Sequence, residues 1–154
     1  MIPQRLVEFI DGPILMVVGT RDEKLCTAIS RAMGAIVNED RETITFFVTE
    51  RFSERTVENL RDNGRISLTI VEPISHEAYQ LKGAYISSRK SNDKEIALQD
   101  AYFDKIAVHL PKMGVPEEYW NPLVYKPSVA VTFRVEDIFD QTPGPGAGEK
   151  ITAD

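Results

Sequence analysis

Hydrophobic and polar residues alternate over several short stretches of this chain. In Arg65–Val71, Ile66, Leu68 and Ile70 point one way, and Ser67, Thr69 and Val71 the other. Such a period of two marks a strand with two different faces. The pattern recurs at 79–86, where Tyr79, Leu81, Gly83 and Tyr85 alternate with Gln80, Lys82, Ala84 and Ile86. It recurs again at Ser128–Val135, around Val129, Val131, Phe133 and Val135. Thr43–Thr49 is rich in the Ile, Phe, Val and Thr that suit a pleated sheet. Ile14–Val18 and Leu25–Ser30 read as a hairpin about a Gly19-Thr20-Arg21-Asp22 turn, and Arg31–Val37 as a further strand. Small residues at Ala32, Gly34 and Ala35 permit a flat ligand or a backbone to approach, or a bulge to form.

Helical spacing is confined to a few segments. Pro3–Ile10 gathers Leu6, Val7 and Ile10 on one side. Ser53 is the expected N-cap of a helix that buries Val57 and Leu60 and stops at Asn63-Gly64. Ser91-Asn92-Asp93 caps the longest helix, Lys94–Leu110, with an apolar stripe of Ile96, Phe103, Ile106, Ala107 and Leu110. A short helix is expected over Pro116–Trp120, and QTPGPGAG at 141–148 forms a loop or an extended tail. Six or seven strands with about three helices argue for a mostly β, antiparallel barrel or sandwich with helical insertions. The connections before Arg65 are too short for repeated parallel crossovers.

Composition narrows the class. The chain has 154 residues and a net charge of −6, with no basic block, which disfavours nucleic acid and anionic membranes as partners. No apolar run reaches bilayer length and no signal core opens the chain, so a cytoplasmic location is expected. Cys26 is the single cysteine, excluding an internal disulfide or a multi-cysteine zinc site. His76 and His109 lack metal-ligand spacing, and neither is close in sequence to Cys26. No GxGxxG follows a strand and no Walker-type loop occurs.

Chemistry converges on the start of the 53–63 helix. A hydroxyl (Ser53), backbone amides and the guanidiniums of Arg51 and Arg55 together suit an anion. Local sequence alone favours a plainer reading, a capped surface helix with solvated arginines, because Glu54 already complements the helix dipole.

The order of these motifs tips the balance. A strand opening at Arg31, one ending at Val48-Thr49, Ser53-x-Arg55, Asn63-x-Arg65-Ile66-Ser67-Leu68 and Lys82-Gly83-Ala84 together resemble the pyridoxamine 5′-phosphate oxidase-like split barrels that bind flavin mononucleotide (FMN). The resemblance implies one split-barrel domain over 1–140 and a Pro/Gly-rich tail over 141–154. It implies a homodimer with FMN in the subunit interface. Arg31 would face the phosphate, and Ala32, Met33 and Gly34 would offer backbone contacts. Val48 and Thr49 would touch the flavin, while Ser53 and Arg55 would hold the phosphate. Three departures stand out. Glu54 occupies a position that is often basic, Gln80 is out of register with the family's glutamine, and the C-terminal Trp and Arg elements of the true oxidase are absent. The last of these argues against the vitamin-B6 reaction itself. The implied function is an FMN-dependent oxidoreductase with an unknown small-molecule substrate. The alternatives are a flavin storage or sensor module, or a haem-binding relative that uses His76 or His109. No catalytic residue is nominated and no metal is expected.

Overall fold

The barrel is assembled from strands that neighbour one another in the sequence and is completed by two pairings between strands that do not. The structure, a computed structural model, describes residues 1–116, 119 and 125–151. Its elements are α1 (Gln4–Ile10), β1 (Leu15–Arg21), β2 (Thr27–Val37), β3 (Thr43–Thr49), α2 (Glu50–Asn63), β4 (Arg65–Val71), β5 (Ala78–Lys90), α3 (Asp93–Ala107) and β6 (Ser128–Asp140). A single 3₁₀ turn at Pro111–Met113 follows α3. The six strands form a closed antiparallel barrel in the order β1-β2-β3-β6-β5-β4, with β4 returning to pair with β1. Closure leaves no sheet edge unpaired. The expected hairpin turn lies later than its sequence indicated: Gly19, Thr20 and Arg21 continue β1, and the turn runs from Asp22 to Cys26. The two strands expected over 25–37 are one, β2.

Inward positions fill the barrel with Met16, Val18, Ile44, Phe46, Leu68, Ile70, Leu81 and Phe133, all essentially inaccessible to solvent. Phe46 and Phe133 meet edge to face at 5.9 Å. α2 lays Thr56, Asn59 and Leu60 against the barrel. Thr56 Oγ1 lies 2.7 Å from Ser30 Oγ, and Asn59 Nδ2 donates to Thr20 Oγ1 at 3.1 Å. After β6 the Pro/Gly stretch turns the chain back, and the Ile151 amide donates to the Ile138 carbonyl at 2.8 Å. Expected elements at Glu117, Glu118 and Trp120 lie outside the described residues. Among those described, no helix is long and apolar enough to cross a membrane.

α3 covers the outside of the sheet with the expected Ile106 and Leu110 buried and Phe103 packed against the core, but polar residues share the buried face. Its buried residues include Glu95 and Gln99 beside Tyr102 and Ile106. Most of the polar groups have partners. Asn92 and Glu95 form a capping box, and Arg89 donates both guanidinium ends to Glu95 at 2.7 and 2.8 Å. Gln99 Nε2 donates to the Glu95 carbonyl at 3.0 Å.

The Arg89 hydrogen bonds, with the Asn92 amide behind them, hold the Glu95 carboxyl below its usual range against the opposing effect of burial. A depressed carboxyl means that the unfolded chain binds more protons. The contribution of Glu95 is therefore present above the unfolded value and lost as pH falls through the lower folded value. Glu95→Gln is expected to destabilise by about 1.5 kcal/mol at pH 7, the worth of a charge-assisted pair with one exposed partner. The gap between the melting curves of the two proteins should narrow as pH falls below the unfolded carboxyl value of about 4.3 and close below the lower folded one. A constant gap would refute the assignment.

Candidate ligand-binding site

α3 leaves part of the outer barrel face bare, and strand register shows which residues share it. Directly opposed residues of neighbouring strands project to the same side. One row runs Arg31–Val17–Thr69–Gln80 across β2, β1, β4 and β5, and the next runs Ile29–Gly19–Ser67–Lys82. Both rows point outward, because the row between them, Ser30–Val18–Leu68–Leu81, points into the core. Val17 is 37% exposed and Ile29 76%, unusual for branched aliphatic residues on a sheet.

Between these rows lies an open, largely apolar depression of about 480 Å³, within the size range of small-molecule sites. Its floor exists because Gly19 has no side chain. A Cβ there would meet only the Ser67 carbonyl oxygen, at 3.9 Å. Ile29 stands on one side of this gap and Ser67 on the other. The Ser67 hydroxyl is shielded from solvent and has no hydrogen-bond partner. The Gln80 amide makes only a long contact, 3.5 Å, to Thr69. A planar ring with a carbonyl edge would find an apolar floor and the Gln80 amide as a donor here. Arg31, beside Val17, makes no hydrogen bond or ion pair among the described residues, so its fork remains open to an anion.

The start of α2 differs from expectation. Thr49 leaves β3 directly into the helix, which begins at Glu50 rather than after Ser53. Ser53 therefore lies inside the first turn and does not cap. Its side chain is 4% exposed, and its hydroxyl donates back to the Glu50 carbonyl at 2.9 Å. The Thr49 hydroxyl makes no capping bond. Arg51 lies over the Phe52 ring at 5.5 Å. Arg55 donates to Asp22 at 2.7 Å and lies 3.6 Å from Glu58.

The Ser30 hydroxyl, 3.3 Å from the Phe52 carbonyl, brings β2 against this helix start. Arg31, the next residue of β2, lies in the outward row beside Val17, and its charge acts on Tyr102 of α3. Ala32, Met33 and Val48 are buried. At Gly34 the backbone adopts a φ of +98°, and the β2–β3 register slips between Ala32 and Ala35, which is the bulge that the small residues permitted. The close approach allowed there is made by Tyr102 of α3, whose Cβ would be 3.4 Å from a Cβ at position 34.

The remaining sequence candidates lie elsewhere. His76 occupies the β4–β5 turn with a φ of +64°, and His109 Nδ1 is 3.8 Å from Glu72. Neither lines the depression. Cys26 is exposed, and its amide donates to Asp22. Among the described residues, no cluster of three or more His, Cys, Asp or Glu side chains could hold a metal.

No protein-family model matches the sequence, and no curated protein matches it. Solved structures do. HupZ of Group A Streptococcus superposes with a TM-score of 0.59 at 21% identity, covering 96% of this chain and 100% of its own. A Clostridium acetobutylicum protein related to general stress protein 26, of the pyridoxine phosphate oxidase family, gives 0.54 at 17%, covering 96% and 92%. An FMN-binding protein from Syntrophomonas wolfei gives 0.50 at 12%, covering 81% and 75%. The chain therefore has the split-barrel fold of the pyridoxamine 5′-phosphate oxidase-like proteins.

Proposed function

We propose that this chain binds FMN on the outer β1–β2–β4–β5 face, as a homodimer, and works as a flavin-dependent oxidoreductase on a small molecule. The observation that carries this reading is the depression above Gly19, lined by Val17, with Arg31 opposite Val17 on the same outward face. The occurrence of this fold in a protein named as FMN-binding supports it.

Flavin supplies hydride or electron transfer, and the chain supplies binding and orientation. Gln80 would donate to a ring carbonyl, Ser67 only after its hydroxyl rotates outward, and Val17 and Ile29 would wall the ring. Arg31 would take the phosphate, with the unpaired amides of Arg51 and Phe52 at the α2 start. Thr49 lies at the same end. Ser53 could contribute its hydroxyl only by releasing the Glu50 carbonyl, and Arg55 only by releasing Asp22. Val48 and the Ala32–Gly34 bulge would contribute main-chain atoms. The exposed Val17 and Ile29 would be covered by the second copy.

Titrating the purified protein into FMN should quench flavin fluorescence to a stoichiometry of one per chain, with a mass in solution twice that of the chain. A protein that is colourless as purified and leaves FMN fluorescence unchanged would sink the proposal. Bound flavin that dithionite reduces but no nicotinamide does would favour storage or sensing over turnover.

A further inference from the structure

Arg55 already holds an oxyanion, and that anion comes from the chain itself. Asp22 Oδ2 accepts from Arg55 Nη2 at 2.7 Å, while Asp22 Oδ1 accepts the Cys26 amide at 2.8 Å. These two donors, the Cys26 amide first, hold the Asp22 carboxyl below its ordinary range, so it is charged at neutral pH. Arg55 has a second carboxylate neighbour, Glu58, at 3.6 Å. We infer that Asp22 is a built-in competitor for the phosphate of the ligand. Its carboxylate occupies the place at Arg55 that a phosphate monoester would take, and binding of the ester displaces it. This rests on the flavin reading above.

The surrounding contacts make the exchange inexpensive. The β1–β2 turn does not need Asp22 to stay on α2. The Glu23 amide donates to Asp62 Oδ2 at 2.9 Å, and Asn63 Nδ2 donates to the Arg21 carbonyl. The exposed Arg55 side chain can therefore swing to the ester, or Asp22 can give up the Cys26 amide as it rotates, while these two bonds keep the turn docked. More than half of the Arg55 side chain is exposed, and an ion pair with so exposed a partner is weak. A phosphate offers the same fork more oxygens and more charge. Glu58 lies on the same helix and stays in place during the exchange.

The test compares FMN with riboflavin, which lacks the phosphate. Asp22→Asn keeps an Oδ1 acceptor for the Cys26 amide and removes only the charge. It should bind FMN about fivefold more tightly than the wild type, the factor expected from losing an exposed pair, with riboflavin affinity unchanged. In an Arg55→Gln background the same substitution should change nothing, which isolates the pair. FMN affinity that is unchanged or weaker in Asp22→Asn, or equal tightening for riboflavin, overturns the competitor while leaving the flavin site standing. Wild-type protein that binds neither flavin overturns both. Thermal melts of each variant confirm that the fold is intact.

Discussion

Alanine in place of Gly83 is expected to lower stability by about 3 kcal/mol or more, at the upper end of overpacking effects. For a domain of this size that is a drop of roughly 6–12 °C in melting temperature. A Cβ at position 83 would lie 1.8 Å from the Arg134 carbonyl oxygen and 3.1 Å from Cδ2 of the buried Phe133. The contact is this close because β5 and β6 slip past each other here. Lys82 faces Asp137 and Gly83 faces Val135, so Glu136 is an extra residue on β6. The obstructing atoms are backbone atoms of a strand paired on both sides, with Arg134 opposite Thr43 on β3 and Ala84 on β5. Neither strand can retreat without breaking a ladder. Urea or thermal unfolding of Gly83→Ala decides the matter; a midpoint within about 2 °C of wild type, less than the effect of 1 kcal/mol, would show that the bulge can relax.

The same bulge marks a limit on what the sequence alone could convey. Alternation over 65–71 and 128–135 was legible because one face of each strand is buried and the other is not. β5 extends to Lys90, well past the expected end near Ile86, because Ser87-Ser88-Arg89-Lys90 pair with β6 while being mostly exposed. Polar residues carry no hydrophobic signal even when their backbones are in a ladder. Closure of the barrel by β1 and β4 depends on pairing between segments about fifty residues apart. Local pattern therefore left barrel and sandwich open until the order of motifs was compared with known split barrels.

Helix boundaries failed for a related reason. Ser53 has the chemistry of a cap, but β3 runs straight into α2, and nothing in Glu50-Arg51-Phe52 resists a helix. In α3 the buried face can include Glu95 because Arg89, from β5, neutralises it. Hydropathy cannot anticipate a partner contributed by another element. Of the candidate site, Arg31 entered through the likeness to split barrels, and the strand expected to open there begins at Thr27. Gly19 read as a turn residue, and Asp22 gave no sign of pairing with Arg55, 33 positions away.

Gly19 is the converse of Gly83. Valine there is expected to leave the fold intact while abolishing ligand binding. Gly19 lies in mid-strand without a positive φ, and a Cβ would meet nothing closer than 3.9 Å. Glycine inside a strand is entropically costly, and a β-branched residue suits the pleat, so stability should hold or rise by about 0.5–1 kcal/mol. The new methyl groups would project outward between Ile29 and Ser67, into the floor of the depression. A planar ligand seated there would lose its contact with the sheet, and a second copy covering Ile29 would be pushed away. FMN affinity should fall on the order of 100-fold, since filling a well-matched site forces a clash of about 3 kcal/mol. Fluorescence titration and solution mass, read beside a thermal melt, separate the outcomes. A stable Gly19→Val protein that binds FMN like the wild type would move the site off this face. A stable variant that has lost both FMN and the dimer would tie cofactor and subunit contact to the same side-chain-free position on β1.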